Sequence, residues 1–96
     1  MEKIIVTRHA ALLQFLMEQG LVEEGVQVIT HATAEDVRGK HVYGVLPMRL
    51  AAEAALLTEV SLVVPLELRG KELSLENIKA CNPTIATYRV AKEMAL

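Results

Sequence analysis

Thr7-Arg8-His9 stands directly after the apolar run Ile4-Ile5-Val6, and this placement is the sharpest chemical signal in the chain. A short β-branched run behind a charged start reads as a buried strand. A guanidinium at the end of such a strand must reach solvent or meet an anion, and its planar fork of donors suits phosphate oxygens. The neighbouring imidazole can give or take a proton near neutral pH. A second join of this kind is Gly44-Val45-Leu46-Pro47, which leads into the alanine- and leucine-rich MRLAAEAALL. In an open α/β sheet, ligands gather beyond the carboxyl ends of the strands, where helix dipoles and free N–H groups favour an anion. Backbone amides and the Arg8 guanidinium are therefore expected to converge at one rim of the sheet and grip a phosphodiester.

Plainer readings stand beside each candidate. Arg8 can simply solvate the sheet edge or pair with a glutamate, and His9 can merely start a helix. Gly44 allows close backbone approach, which either opens room for a ligand or relieves packing against a helix. Arg49 sits in the first turn of its predicted helix, where a cation opposes the dipole, a small conflict that an anionic partner would resolve. Glu53, two turns along, reads first as a surface charge and second as a catalytic one. Arg69-Gly70 adds a cation to the same edge or forms an ordinary polar turn. His31 and His41 are too scattered to ligate a metal, and Cys81 reads as a core thiol. Neither GxGxxG nor a P-loop is present.

The elements that must position these residues follow from periodicity. After the strand Ile4–Val6, helical spacing runs from Leu12 to Leu21, with Gly20 just beyond the helix end. Val26–Thr30 is a second strand. Thr33 and Asp36 cap a short helical turn, and Arg38-Gly39-Lys40 is a polar connector. His41–Leu46 is a third strand ended by Pro47, Met48–Leu57 a helix, and Glu59–Pro65 a fourth strand. A turn over Leu66–Gly70 precedes a helix from Ser74 to Cys81, with Asn77 in its first turn. For residues 82–96, Asn82-Pro83 starts a helix well, yet TIATYRV alternates like a strand, and both readings stay open. The order is that of a small, single-domain, Rossmann-like α/β fold: an open, mostly parallel sheet with helices on both faces.

Composition narrows the function. The 96 residues suffice for one domain, and a 52% hydrophobic content exceeds what a small monomer needs, so a homodimer is the simplest cover for the surplus. Only Phe15, Tyr43 and Tyr88 are aromatic, which argues against stacking single-stranded nucleic acid. A net charge of −2 argues against binding long DNA or RNA. One cysteine, no signal peptide and no membrane-length apolar run point to a soluble cytoplasmic protein in a reducing compartment.

Taken together, TRHxA at the amino terminus, GxLPxxLAAE at positions 44–53 and LxxRGxEL at 66–73, followed by a late tyrosine, resemble a small type III CRISPR-associated accessory family of ring nucleases. The resemblance runs over nearly the whole chain, and GxLPxxLAAE is its most specific part. It implies a prokaryotic, Rossmann-like homodimer without cofactor that linearises cyclic tetra-adenylate, a second messenger of antiviral defence. The motif positions it implies are Thr7, Arg8 and His9, then Gly44, Leu46, Pro47 and Glu53, then Arg69, Gly70 and Glu72. In the family a Pro-Gly pair often follows the histidine, whereas here Ala10-Ala11 stand there. Arg8 and His9 are the expected catalytic pair; Thr7, Gly44, Leu46, Pro47, Arg49, Glu53 and Arg69 are expected to bind substrate. The alternatives are a binder that sequesters the ring without cutting it, and a protein-interaction module of the defence system.

Overall fold

Three consecutive residues of the first strand, Ile4, Ile5 and Val6, are all buried, so that strand is covered on both sides. A computed structural model describes all 96 residues, Met1 to Leu96. Its elements are β1 (Lys3–Val6), α1 (Ala10–Glu18), β2 (Gln27–Ile29), α2 (Ala34–Val37), β3 (His41–Gly44), α3 (Met48–Ala51), β4 (Leu56–Ser61), α4 (Leu75–Ala80) and β5 (Thr84–Tyr88). A 3₁₀ turn over Leu66–Leu68 lies between β4 and α4. The five strands form one sheet in the order β2-β1-β3-β4-β5, parallel except for β5, which runs antiparallel to β4. The expected α/β class with a mostly parallel sheet is what the chain adopts.

Strand order explains where the helices go. The chain moves from β1 outward to β2, then back past β1 to β3 and β4. Crossovers between parallel strands are right-handed, so the reversal sends successive helices to opposite faces. On one face, Phe15 and Leu16 of α1 pack over Ile5, Tyr43 and α4. On the other, Val37, Leu50 and Ala51 of α2 and α3 pack over Ile4, Val42 and Leu57.

Local sequence explains most boundaries. AALLQFLME is built of good helix formers, and Gly20 takes the left-handed conformation (φ +74°) just past the end of α1. Thr33 with Asp36, and Ser74 with Asn77, each form a reciprocal capping box. Of residues 82–96, left between helix and strand, Thr84–Tyr88 form a strand and the rest has no regular secondary structure. Asn82 turns the chain at φ +49° before Pro83, and Thr84–Tyr88 pairs with β4.

Several boundaries differ from expectation, most of all between residues 44 and 65. The predicted helix Met48–Leu57 stops after one turn at Ala51, and β4 begins at Leu56 rather than Glu59, ending at Ser61 rather than Pro65. Helix propensity loses here to pairing with the preceding connector. Gly39 N–H bonds to Glu53 O at 3.2 Å, Ala55 N–H bonds to Lys40 O at 2.9 Å, and Arg38 bridges Ala54. Tertiary hydrogen bonds thus pull Ala54 to Leu57 out of the helix and into register beside β3. Similarly β3 ends at Gly44, not Leu46.

Candidate functional site

The sheet reverses its winding between β1 and β3, and the carboxyl ends of those strands, Val6-Thr7 and Gly44-Val45, frame a hollow of about 260 Å³. This crevice is the ordinary ligand position of open α/β sheets. Its volume lies near the lower end of small-molecule sites, about 300 Å³, which matches a single nucleobase better than a whole cyclic nucleotide. Leu12 of α1, Val60 of β4, Leu62, Val64, Leu73 and Ile78 complete its largely apolar wall.

Several local rules build that wall. Leu62 and Val64 alternate inward from the extended chain beyond β4, while Val63 between them is exposed. Leu73 and Ile78 flank the Ser74 cap of α4 and pack together, a hydrophobic staple that fixes how the chain enters that helix. Gly44 has φ +139°, and a Cβ there would lie 2.0 Å from the Val6 carbonyl oxygen. Only glycine lets β3 end this close to β1. The close approach is thus to the neighbouring strand rather than to a helix, and Gly44 also lines the hollow.

Thr7 Oγ1 accepts the His9 backbone N–H at 3.0 Å, which turns the chain sharply between β1 and α1. That turn carries Arg8 outward. Arg8 lines a second, more polar cleft of about 340 Å³ with His9, Gly70, Lys71 and Glu72. The expectation that Arg8 and the Gly44–Pro47 bend face one hollow is corrected accordingly: they border two adjoining hollows, and His9 lines both. The Nδ1 atom of His9 is shielded from solvent with no hydrogen-bond partner. A buried polar atom without a partner costs about 1–3 kcal/mol, so it marks a place where a ligand group would be welcomed. Above it, α1 begins with no side-chain cap and no acidic residue in its first turn, unlike α2 and α4. Its leading N–H groups stay available to an anion.

The remaining candidates fall elsewhere. Leu46 packs into the core of the opposite face, and Pro47 precedes α3, accepting the N–H groups of Leu50 and Ala51 on its carbonyl. Because α3 is a single turn, it has little dipole, and Arg49 lies in its last turn as much as its first. The expected conflict at Arg49 disappears; its side chain instead borders a groove with the tail residues Val90 and Lys92. Glu53 pairs with Arg38 at 3.7 Å beside the start of β3, at the end of the sheet away from the hollow. Arg69 Nε donates to Val64 O at 3.1 Å and so braces the loop whose Gly70 and Glu72 reach the cleft. Cys81 is a buried thiol, as expected. No group of three His, Cys, Asp or Glu side chains is placed to hold a metal ion, and no helix is long and apolar enough to cross a membrane.

Sequence reasoning did not single out Lys71, the second cation of the cleft, nor the apolar wall. Lys71 sits beside Arg69-Gly70, so its position in that turn was the available signal. The alternation SLVVP offered a similar sign for Leu62 and Val64.

Fold and site together define an α/β protein with an apolar hollow and an adjoining cationic cleft at the switch point of its sheet. The family model described as "Putative CRISPR-associated protein (Cas_VVA1548)" matches residues 4–91, and the chain belongs to this CRISPR-associated family. No curated protein and no solved structure matches it.

Proposed function

We propose that this protein is a ring nuclease that binds cyclic oligoadenylate, cyclic tetra-adenylate first among them, and opens it without a metal to switch off type III CRISPR signalling. The observation that carries the reading is His9, which stands between an apolar hollow of base size and a cleft bearing Arg8 and Lys71. Nucleotides present this pair of chemistries side by side: an adenine belongs in the hollow and its phosphate in the cleft. Membership of a CRISPR-associated family agrees with it.

In this mechanism the ribose 2′-oxygen attacks the adjacent phosphorus while the bond to the 5′-oxygen breaks. The products are a 2′,3′-cyclic phosphate and a free 5′-hydroxyl. The 2′-hydroxyl proton passes to water, and His9 gives a proton to the departing 5′-oxygen. Arg8, with Lys71 behind it, neutralises charge on the phosphorane, and the uncapped amides of α1 face its non-bridging oxygens. Holding the 2′-hydroxyl in line with the leaving oxygen is the larger part of the catalysis, and the adenine anchored in the hollow provides that alignment.

Pure protein incubated with cyclic tetra-adenylate in EDTA, with products followed by chromatography, tests the proposal. Linear product ending in a 2′,3′-cyclic phosphate is expected. An intact ring after long incubation rejects catalysis. Ligand that is protected stoichiometrically would instead identify a sequestering protein, and the absence of any thermal shift with the ring would leave a protein-interaction module.

A further inference from the structure

Of the 12 acidic side chains, Glu72 alone lines either hollow of the site. Several of the others are occupied elsewhere. Glu2, Glu18 and Glu53 pair with Lys40, Lys79 and Arg38, Asp36 caps α2, and Glu59 accepts a hydrogen bond from Ser61. Glu72 shares its cleft with Arg8 and Lys71, yet none of these three is in an ion pair. A carboxylate kept there to neutralise the cations would be bonded to one of them. A carboxylate kept beside a phosphate site repels the phosphate. Neither balancing charge nor gripping an anion accounts for it.

Its position is nonetheless built. Gly70 turns the chain at φ +77°, Arg69 Nε donates to Val64 O at 3.1 Å, and the Lys71 N–H bonds to Leu68 O at 3.3 Å. Leu73, the next residue, is buried against Ala11, Phe15 and Ile78. The Glu72 backbone is thus held between a braced turn and a core anchor, while its side chain is exposed. A carboxylate does have a favourable partner in a nucleotide: a ribose hydroxyl, which donates to it. Ring opening also needs two proton transfers, one at the attacking oxygen and one at the leaving oxygen, which lie in line across the phosphorus. His9 reaches the cleft from the join of β1 and α1, and Glu72 reaches it from the loop before α4. Two groups entering from separate segments suit two such transfers.

Resting on the ring-nuclease reading, we infer that Glu72 is the base of this pair and takes up, through one water, the proton that leaves the ribose 2′-hydroxyl. That water receives the 2′-hydroxyl proton as it gives one of its own to the carboxylate. The 2′-oxygen bonds to phosphorus, the bond to the 5′-oxygen breaks, and the 5′-oxygen takes the proton of His9. Glu72 ends protonated and His9 neutral, and exchange with solvent restores both.

Cleavage of cyclic tetra-adenylate in EDTA and binding of its all-2′-deoxy analogue, which lacks the nucleophile, test this in parallel. Glu72→Gln should cut about 100-fold more slowly or worse. It should also bind the deoxy ring about threefold more tightly, because a negative charge has left the phosphate site. Glu72→Asp should fall between Gln and wild type in rate. Glu76→Gln, in the first turn of α4, removes a nearby charge outside the cleft and should cut as wild type does. A Glu72→Gln variant that cuts at the wild-type rate, one that loses binding together with rate, or an equal loss in Glu76→Gln would each overturn the inference. A wild type that leaves the ring intact rejects the ring-nuclease reading and this inference with it, whereas a wild type that cuts no faster than Glu72→Gln rejects the inference alone.

Discussion

Two histidines stand at opposite ends of the same sheet, and their surroundings differ in a way that separates structure from function. His41, at the start of β3, has its ring filled with partners. Its Nε2 lies 2.6 Å from Thr58 Oγ1, which in turn lies 2.7 Å from Thr87 Oγ1. Its ring stacks on Tyr43 with centroids 4.3 Å apart. This end is a closed polar network that ties β3, β4 and β5 together. His9, beyond the end of β1, has a buried Nδ1 with no partner, an uncapped helix behind it and a hollow on either side. The fold satisfies one histidine and leaves a buried nitrogen of the other without a partner, at the end where the proposed ligand site lies.

Substitution at Gly44 is expected to do the greatest damage to the His9 end. Gly44→Ala sets a methyl against the Val6 carbonyl and forces β1 and β3 apart at the His9 end. We expect a loss of about 3 kcal/mol, about 15 °C in melting temperature, and with it the loss of nucleotide binding. Calorimetry against wild type checks this.

Next in size are Arg8→Ala and His9→Ala. Each should slow ring opening by about 100-fold or more with a melting temperature within about 2 °C of wild type. His9→Ala should in addition be neutral or stabilising without ligand, since it removes an unpartnered buried nitrogen. If either variant cleaves at the wild-type rate, the site lies elsewhere in the hollow.

A smaller effect sharpens the contrast from the other end. Burial, and secondarily the Lys3 charge, hold the His41 pKa below its ordinary 6.5. The unfolded chain therefore takes up this proton first as pH falls. Stability from His41 is complete above pH 6.5 and declines as the pH drops from there toward the lowered folded value. Melting curves between pH 7 and 5 should show that decline, and His41→Gln should flatten it while leaving cleavage at pH 7.5 unchanged. The smallest effect is expected at Glu53: Glu53→Gln removes only an exposed ion pair with Arg38, and should alter neither stability nor cleavage measurably.

Much of this fold is legible in the residues themselves. β-branched runs announce β1, β2 and β3, and the two capping boxes announce α2 and α4 in four letters each. What misleads is MRLAAEAALL, whose composition is helical throughout, because the hydrogen bonds that end α3 come from Gly39 and Lys40, fourteen or so residues upstream. β5 stays ambiguous for the same reason: its partner is β4, and pairing is not written in TIATY alone. For the site, Thr7, Arg8, His9 and Gly44 stand out by position after a buried strand. Glu53 enters only through the family resemblance; its own position reads first as a surface charge, and its exposed ion pair with Arg38 agrees with that reading. The apolar wall belongs to no motif; it is assembled by the loop between β4 and α4 folding back over the sheet.

That loop has a mechanical corollary. Leu73 and Ile78 hold the first turn of α4 in place and at the same time form part of the hollow's wall. Fraying of α4 at its amino end therefore opens the hollow, and any occupant pressed between them resists the fraying. The amides of α4, otherwise among the first of a six-residue helix to exchange with solvent, become reporters of occupancy. Their slowing in deuterium upon addition of ligand would register binding at a distance from the phosphate, in a segment that performs no chemistry of its own.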